Sequence, residues 1–278
     1  MSATQDSSAQ LSKITADDAE EMRLVISAEA WDVNYEAFEY WKIIWTNEKD
    51  YFFSTYSLRK LPDDLNSIRS EARLVPRTFY RPHIPSDIAL TPAPLPLSES
   101  IYIKKPVPLD FELESSASTG CADDLLKEAQ TCEQLAKHPH PHICTYHGII
   151  EEDGALVGLC LERHGKTLYM AVIDGDPIDA RRILEGVKSG LDHLHALGFV
   201  HGDINPTNIV LDATSAPVII DFDSCTPQGS KIDGKYGTFP WCKDPWPVTA
   251  EFDDDIYCLE KIKEWFIEKG MEVTDTDS

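Results

Sequence analysis

Basic side chains are scarce in this chain: 25 Lys and Arg stand against 48 Asp and Glu over 278 residues, a formal charge of −23. So acidic a surface repels the phosphate backbone of nucleic acids and anionic bilayers, which excludes both as partners. Basic proteins, or metal-bound phosphates, suit it better, although a solubilising acidic surface is the plainer cause of the charge. Long apolar runs are also missing; nothing reaches the roughly 18 residues that a membrane-crossing helix needs. The opening "MSATQDSSAQ" has no apolar stretch of the kind a secretory signal carries. The expectation is a cytoplasmic or nuclear protein, not secreted and not anchored. Paired cysteines are missing too. The seven at 121, 132, 144, 160, 225, 242 and 258 are odd in number, scattered, and never arranged as C-x-x-C. That excludes a disulfide framework or zinc knuckle and points to reduced, mostly buried thiols. No internal repeat is present.

What is there is an ordinary globular composition, 42% hydrophobic, in a chain long enough for one or two domains. Residues 1–20 are polar and acidic and read as a disordered leader. From Ala28 to about Tyr56 an aromatic-rich block carries Tyr35, Phe38, Trp41 and Trp45 at helical spacing, which predicts an amphipathic helix used for packing or docking. Between Val75 and Pro108 prolines crowd "VPRTFYRPHIP" and "LTPAPLPL"; lacking donors, this connector should run extended without a regular element. "IYIK" then predicts a short strand ending at Lys104. A helix follows from about Asp123, with Leu125, Leu126, Ala129, Cys132 and Leu135 as its apolar stripe. Two strands turn at Glu152, Asp153 and Gly154. A long helix runs from about Ile178 to Leu197 and stops at Gly198, and a last one runs from Asp255 to about Lys269. His138, His140 and His142 alternate with prolines, a rigid turn and not a metal site, since no cysteine or carboxylate joins them at ligand spacing. The order is a small strand-and-helix part followed by a mostly helical part, with no βαβ alternation.

The chemistry gathers in "HGDINPTNIVLD" and in "IDFD" beyond it. Phosphoryl transfer needs a cation at the phosphates, oxygens for Mg²⁺, and a carboxylate to orient the attacking hydroxyl. Asp203 and Asn208 share one short loop, and Asp221 opens a second after the strand "PVII". Together they supply the carboxylate and two metal-binding groups.

On these residues the sequence from Lys104 onward resembles the protein-kinase superfamily, in particular the expanded kinase-like proteins of filamentous fungi with their "YIK-P" and "HPHP-I" segments. The resemblance implies an α+β, two-lobed fold: a small antiparallel β-rich N-lobe (about 101–162) and a mostly helical, truncated C-lobe (about 163–270). Residues 21–100 would be an aromatic-rich extension with the proline connector, ahead of a kinase-like domain over 101–278. It implies ATP and Mg²⁺ as cofactors and a protein substrate, basic ones being favoured by the charge; it leaves the oligomeric state open. Lys104 matches the lysine that contacts ATP phosphates, with Lys105 as the fallback. Glu128 matches its glutamate partner, with Glu133 as competitor. "LCLERH" matches the hinge, Leu161 being the gatekeeper and Glu162, Arg163 and His164 offering backbone groups to adenine. Asp203 matches the catalytic aspartate, Asn208 and Asp221 the metal ligands, Thr238 of "GTFPW" a hydrogen-bonding neighbour of Asp203, and Asp255 the buried aspartate of "DDIYCL".

The pattern also departs from that family. No G-x-G-x-x-G precedes Lys104, so prolines without amide donors stand where phosphates would be covered. Gly202 replaces an arginine that pairs with an activation-loop phosphate, which argues against such a switch. Asn205 replaces a lysine near the transferred phosphate and brings an amide without charge. "DFD" replaces "DFG", and Asp223 is less free than glycine to flip. The last helices of the C-lobe are missing, and the aromatic block is a candidate cover for the face they leave. Three readings stay open: a slow protein kinase toward Ser/Thr hydroxyls, a pseudokinase acting as a nucleotide-binding or scaffold module, and a small-molecule kinase similar to aminoglycoside and choline phosphotransferases. "GTFPW" with "DDIYCL" favours protein over small molecule.

Overall fold

A computed structural model describes residues 21–32, 36–112, 120–232, 234–244 and 247–273. The expected leader and Tyr35 lie outside the described residues. The chain divides into two compact units, residues 1–83 with 106–123 and residues 84–105 with 124–278.

The first unit is a four-stranded antiparallel sheet in the order β1-β2-β3-β4, made of β1 (Arg23–Trp31), β2 (Phe38–Thr46), β3 (Tyr51–Tyr56) and β4 (Arg73–Leu74). A short helix α1 (Asn66–Ser70) precedes β4, and a single 3₁₀ turn (Arg77–Phe79) follows it. The amphipathic helix expected over Ala28 to Tyr56 is therefore overturned. The reason is that the sheet buries both faces. Ile43, Trp45 and Phe52 join Met22, Ile68 and Ala72 in one cluster, while Ile44 and Phe53 join Val75, Phe79, Tyr80 and Phe111 in another. With apolar residues on both faces the period-two alternation disappears, and the aromatic spacing imitates a helix. The turn between β2 and β3 was the better signal. Asn47 Oδ1 accepts the N–H groups of Lys49 and Asp50, and Glu48 adopts φ +74°. Of the aromatics read as a cover for an exposed helical face, Trp45, Phe52 and Phe53 are buried in this sheet's own cores, while Trp31 stays exposed.

In the second unit β5 (Ile101–Lys104) forms a sheet with β6 (Tyr146–Glu152) and β7 (Ala155–Glu162) in the order β5-β7-β6. The hairpin turns through Asp153 and Gly154, both at positive φ. Helix α2 (Gly120–Leu135) begins three residues before Asp123 and buries Leu125, Ala129, Cys132 and Leu135. The proline stretch departs from the expected absence of regular elements at its start, in the 3₁₀ turn Arg77–Phe79; from there to β5 it has no regular element but is pinned: Ala93 N–H donates to the Ile149 carbonyl at 2.9 Å, and the Thr91 hydroxyl to Glu133 at 2.9 Å.

Helices α3 (Leu168–Ile173) and α4 (Ala180–Ala196) follow; Thr167 and Asp179 cap them through side-chain oxygens on the N–H groups of Met170 and Arg182. Four short strands, β8 (Phe199–Val200), β9 (Ile209–Leu211), β10 (Pro217–Ile219) and β11 (Thr226–Pro227), pair β8 with β11 and β9 with β10. Helix α5 (Phe252–Glu268) opens with a reciprocal capping box between Glu251 and Asp254. One core runs through this unit, taking Ile183, Val187, Leu191 and Leu194 from α4 and Leu259, Ile262 and Phe266 from α5. All seven cysteines are free, five of them buried. Among the described residues no helix is long and apolar enough to cross a membrane.

Candidate active site

The end of β5 delivers Lys104 to two carboxylates. Its Nζ donates to Glu128 Oε1 and Oε2 at 2.7 and 2.6 Å and to Asp221 Oδ1 at 2.6 Å. Glu128 projects from the middle of α2 and is only 1% exposed. Burial pushes its carboxyl up, with Lys104 working against that shift. Burial would lower the Lys104 ammonium, but Glu128 and Asp221 reverse this and hold it above its ordinary value. Glu128 Oε1 also accepts the Phe222 N–H at 3.1 Å, which ties α2 to the chain just past Asp221. Asp221 itself sits at φ +68°, a strained angle for an aspartate. The fallback Lys105 is exposed. The competitor Glu133 is occupied by Thr91 and by the Tyr146 hydroxyl at 2.9 Å.

The loop from His201 to Asn208 is hung on Asp255, which is fully buried in the first turn of α5. Its Oδ2 accepts the His201 N–H at 2.8 Å and its Oδ1 the Gly202 N–H at 2.9 Å, and the His195 ring meets Oδ2 at 2.8 Å. A buried carboxylate with several donors is stable only while they stay in place, so loop and helix hold each other. His201 Nε2 lies 3.1 Å from the Ile220 carbonyl, and its Nδ1 accepts the Asp203 N–H at 3.3 Å, so the proton belongs on Nε2.

The Asp203 carboxylate accepts from the amides of Asn205 and Asn208 at 3.2 and 3.0 Å and from the Thr238 hydroxyl. Burial raises its pKa even so, and Asp221 is close enough to add to that rise. With its nitrogen turned to Asp203, the Asn208 amide directs its oxygen elsewhere, as a metal ligand would need. Asn205, the uncharged amide of this loop, is bound within it. Its oxygen accepts the Thr207 N–H at 2.9 Å and its nitrogen donates to Asp203, so its amide closes on the loop and does not stand in for a cation toward a phosphate.

A cavity of about 380 Å³ opens beside these groups. Tyr102, Leu161, Val210 and Ile220 give it apolar surface, and Lys104 and Asp221 stand at its polar end. Glu162, Arg163 and His164 also line it. Two of the three expected hinge amides are already used: Glu162 N–H donates to Thr145 at 2.8 Å and Arg163 N–H to Ser100 at 2.7 Å. His164 is the one whose N–H makes no such bond among the described residues. The volume falls in the range of small-molecule sites. Among the described residues no cluster of three or more His, Cys, Asp or Glu is placed to hold a metal alone. One carboxylate and one amide oxygen still fit Mg²⁺, which keeps waters and phosphate oxygens in its shell. The histidines at 138, 140 and 142 form a packed turn, His140 stacking on His193 at 4.8 Å and His142 Nδ1 bonding the Pro217 carbonyl.

Val210, Ile220 and Cys144 line the cavity although sequence reasoning did not single them out. For the first two a signal existed, since each lies within two residues of Asn208 or Asp221. Tyr236, which packs over Gly202, was missed as well.

Residues 99–243 match the family model of the protein kinase domain. The chain is 33% identical over 118 residues to serine/threonine-protein kinase nrc-2 of Neurospora crassa, covering 38% of this chain and 19% of that protein. It is 29% identical over 140 residues to the dual serine/threonine and tyrosine protein kinase of Gallus gallus, covering 47% and 15%. With maternal embryonic leucine zipper kinase of Xenopus tropicalis it shares 24% over 126 residues, covering 44% and 19%. The chain thus spans less than a fifth of the length of these relatives.

Proposed function

The chain belongs to the protein kinase domain family, and from that premise we propose that it is an ATP- and Mg²⁺-dependent phosphotransferase acting on Ser/Thr hydroxyls of proteins, within a kinase-like domain over residues 101–278. The observation that carries this reading is the meeting of two groups of side chains. Lys104, Glu128 and Asp221 stand together, and Asp203 with Asn208 and Thr238 stands close enough to feel the Asp221 charge.

The roles follow from position. The apolar cavity between Leu161 and Val210 takes the adenine, with the free N–H of His164 on its edge. Lys104, held by Glu128, neutralises phosphate charge. Asn208 and Asp221 hold the metal. When bound, MgATP would supply the phosphoryl group, ADP leaving, and its metal would offset the charge on the phosphate oxygens. Asp203 accepts the hydrogen of the incoming hydroxyl and orients it, its own carboxylate kept in place by Thr238 and Asn208. Asn205 adds no positive charge, which suits a slow enzyme. A cytoplasmic or nuclear location and a basic protein substrate fit the composition.

A pseudokinase reading draws on one specific observation, the proline segment that is pinned to β6 and α2 and brings no glycine-rich amide cover. The two readings separate in one experiment: thermal stabilisation by ATP with and without Mg²⁺, and phosphate transfer to a basic protein, for wild type, Asp203→Ala and Asp221→Asn. We expect Asp203→Ala to bind ATP normally and to transfer about 10²- to 10⁴-fold more slowly. Asp221→Asn should lose the Mg²⁺-dependent part of the stabilisation. A wild type with no metal-dependent nucleotide binding sinks the proposal; binding with transfer unchanged in Asp203→Ala favours the scaffold.

A further inference from the structure

Gly202 lies in the loop that carries Asp203, at φ +80°. A Cβ built there would sit 2.5 Å from Cε2 of Tyr236 and 3.0 Å from the Ser224 carbonyl oxygen. A side chain at 202 is therefore excluded twice, by the backbone angle and by the tyrosine ring. The place where the family carries an arginine is filled, and filled from another part of the chain.

Tyr236 is a buried residue in an exposed stretch: Gly234, Lys235, Thr238 and Phe239 around it are all exposed. Its ring belongs to a small cluster with Val200 and Ala250. Its hydroxyl donates to Asp254 Oδ2 at 2.7 Å, and the same oxygen accepts the Glu251 N–H at 3.0 Å at the start of α5. The next residue, Gly237, donates its N–H to the Gly202 carbonyl at 2.8 Å. The one after it, Thr238, hydrogen-bonds the Asp203 carboxylate. Three consecutive residues thus fasten this segment to the first turn of α5, to the backbone of the loop and to the reacting carboxylate.

We infer that Tyr236 is a positioning residue for phosphoryl transfer: by filling the space over Gly202 and bonding Asp254, it holds Thr238 on Asp203 without any phosphate, so the site is permanently assembled. The inference rests on the proposed kinase function. A segment ordered by phosphorylation needs a cation to meet the phosphate, and the order vanishes with the modification. A buried ring with an uncharged donor needs neither, and salt does not weaken it much.

The test compares wild type, Tyr236→Phe and Tyr236→Ala in transfer kinetics and in tryptic cleavage after the exposed Lys235. Loss of the ring should lower kcat roughly 10- to 100-fold and raise KM for the protein substrate, with KM for ATP within about twofold, because misplacement of about 1 Å is enough for such losses. Tyr236→Phe keeps the ring and should retain most of the rate. Cleavage after Lys235 should rise about tenfold in Tyr236→Ala and less in Tyr236→Phe, since local opening exposes the segment. Phosphatase treatment of the wild type should leave its rate unchanged. Transfer and cleavage equal in all three proteins would overturn the inference. So would a parallel loss of ATP affinity and melting temperature, which marks a merely structural role, or a phosphatase-sensitive wild type. A wild type that transfers no phosphate overturns the proposed function instead; the latch then stands or falls on cleavage, and equal cleavage overturns it.

Discussion

The two units treat charge in opposite ways. In the first, the buried polar residues are Thr46 and Ser54, and its ion pairs, Arg23–Glu48, Arg59–Glu29, Lys42–Glu112 and Arg77–Asp50, each have at least one well-exposed partner. In the second, Glu128 and Asp255 are almost fully buried, with His201, Asn205 and Asn208 beside them. Taking a carboxylate out of water is expensive and is tolerated where its donors are fixed. The core of the first sheet is therefore mainly apolar, with the Trp45–Ser54 hydrogen bond inside it, whereas the second unit gives up stability to keep charges in defined places. That is the signature of a site and not of a scaffold core.

The contrast can be broken or sharpened in several ways, the largest effect first. Phe53→Ala, in the first unit, should cost about 3–5 kcal/mol by denaturant unfolding, as a buried aromatic does, yet leave ATP affinity unchanged; a lost affinity would contradict the separation of roles. Asp255→Asn offers an NH₂ group where two N–H donors expect oxygen. It should cost about 2–4 kcal/mol and reduce transfer as well, because the loop loses its anchor. Glu128→Gln keeps the shape but leaves Lys104 to Asp221 alone, so that lysine and metal compete for one carboxylate. Transfer should fall about 10²-fold, with a higher Mg²⁺ requirement seen in a metal titration.

A fourth effect is in the pH profile. Burial raises Asp203, and on the proposed mechanism transfer needs its ionised form, so the rate should fall as pH drops through a value above that of an ordinary aspartate. The Thr238 hydrogen bond stabilises the ionised form, so Thr238→Ala should move that acid limb to still higher pH. The smallest effect belongs to the surface. Arg77→Ala should cost at most about 1 kcal/mol, and less in high salt.

What could be read in the sequence depended on how local the signal was. The hairpin at Asp153–Gly154, the stop at Gly198 and the loop around Asp203 each rest on residues a few positions apart, and each is a matter of turn chemistry or short-range spacing. Lys104 and Glu128 belong to one strand and one helix whose apolar stripes were visible, although their meeting with Asp221 is tertiary. The sheet of the first unit was misread because Ile43 and Ile44 face different cores, which removes the alternation that marks a strand. That Asn205 satisfies its amide within its own loop was not legible, because composition does not say where a short amide bonds. The Tyr236–Gly202 contact joins distant positions and left only the unexplained glycine as a hint.

On the proposed function Asp221, at φ +68°, is kept for its carboxylate, since glycine adopts that angle without strain. Asp221→Gly would relax the backbone and remove the charge that crowds Glu128, at the loss of one contact to Lys104. Resistance to heat and chemical competence therefore pull against each other at a single position, and a screen for thermal tolerance alone would drift toward an inert protein.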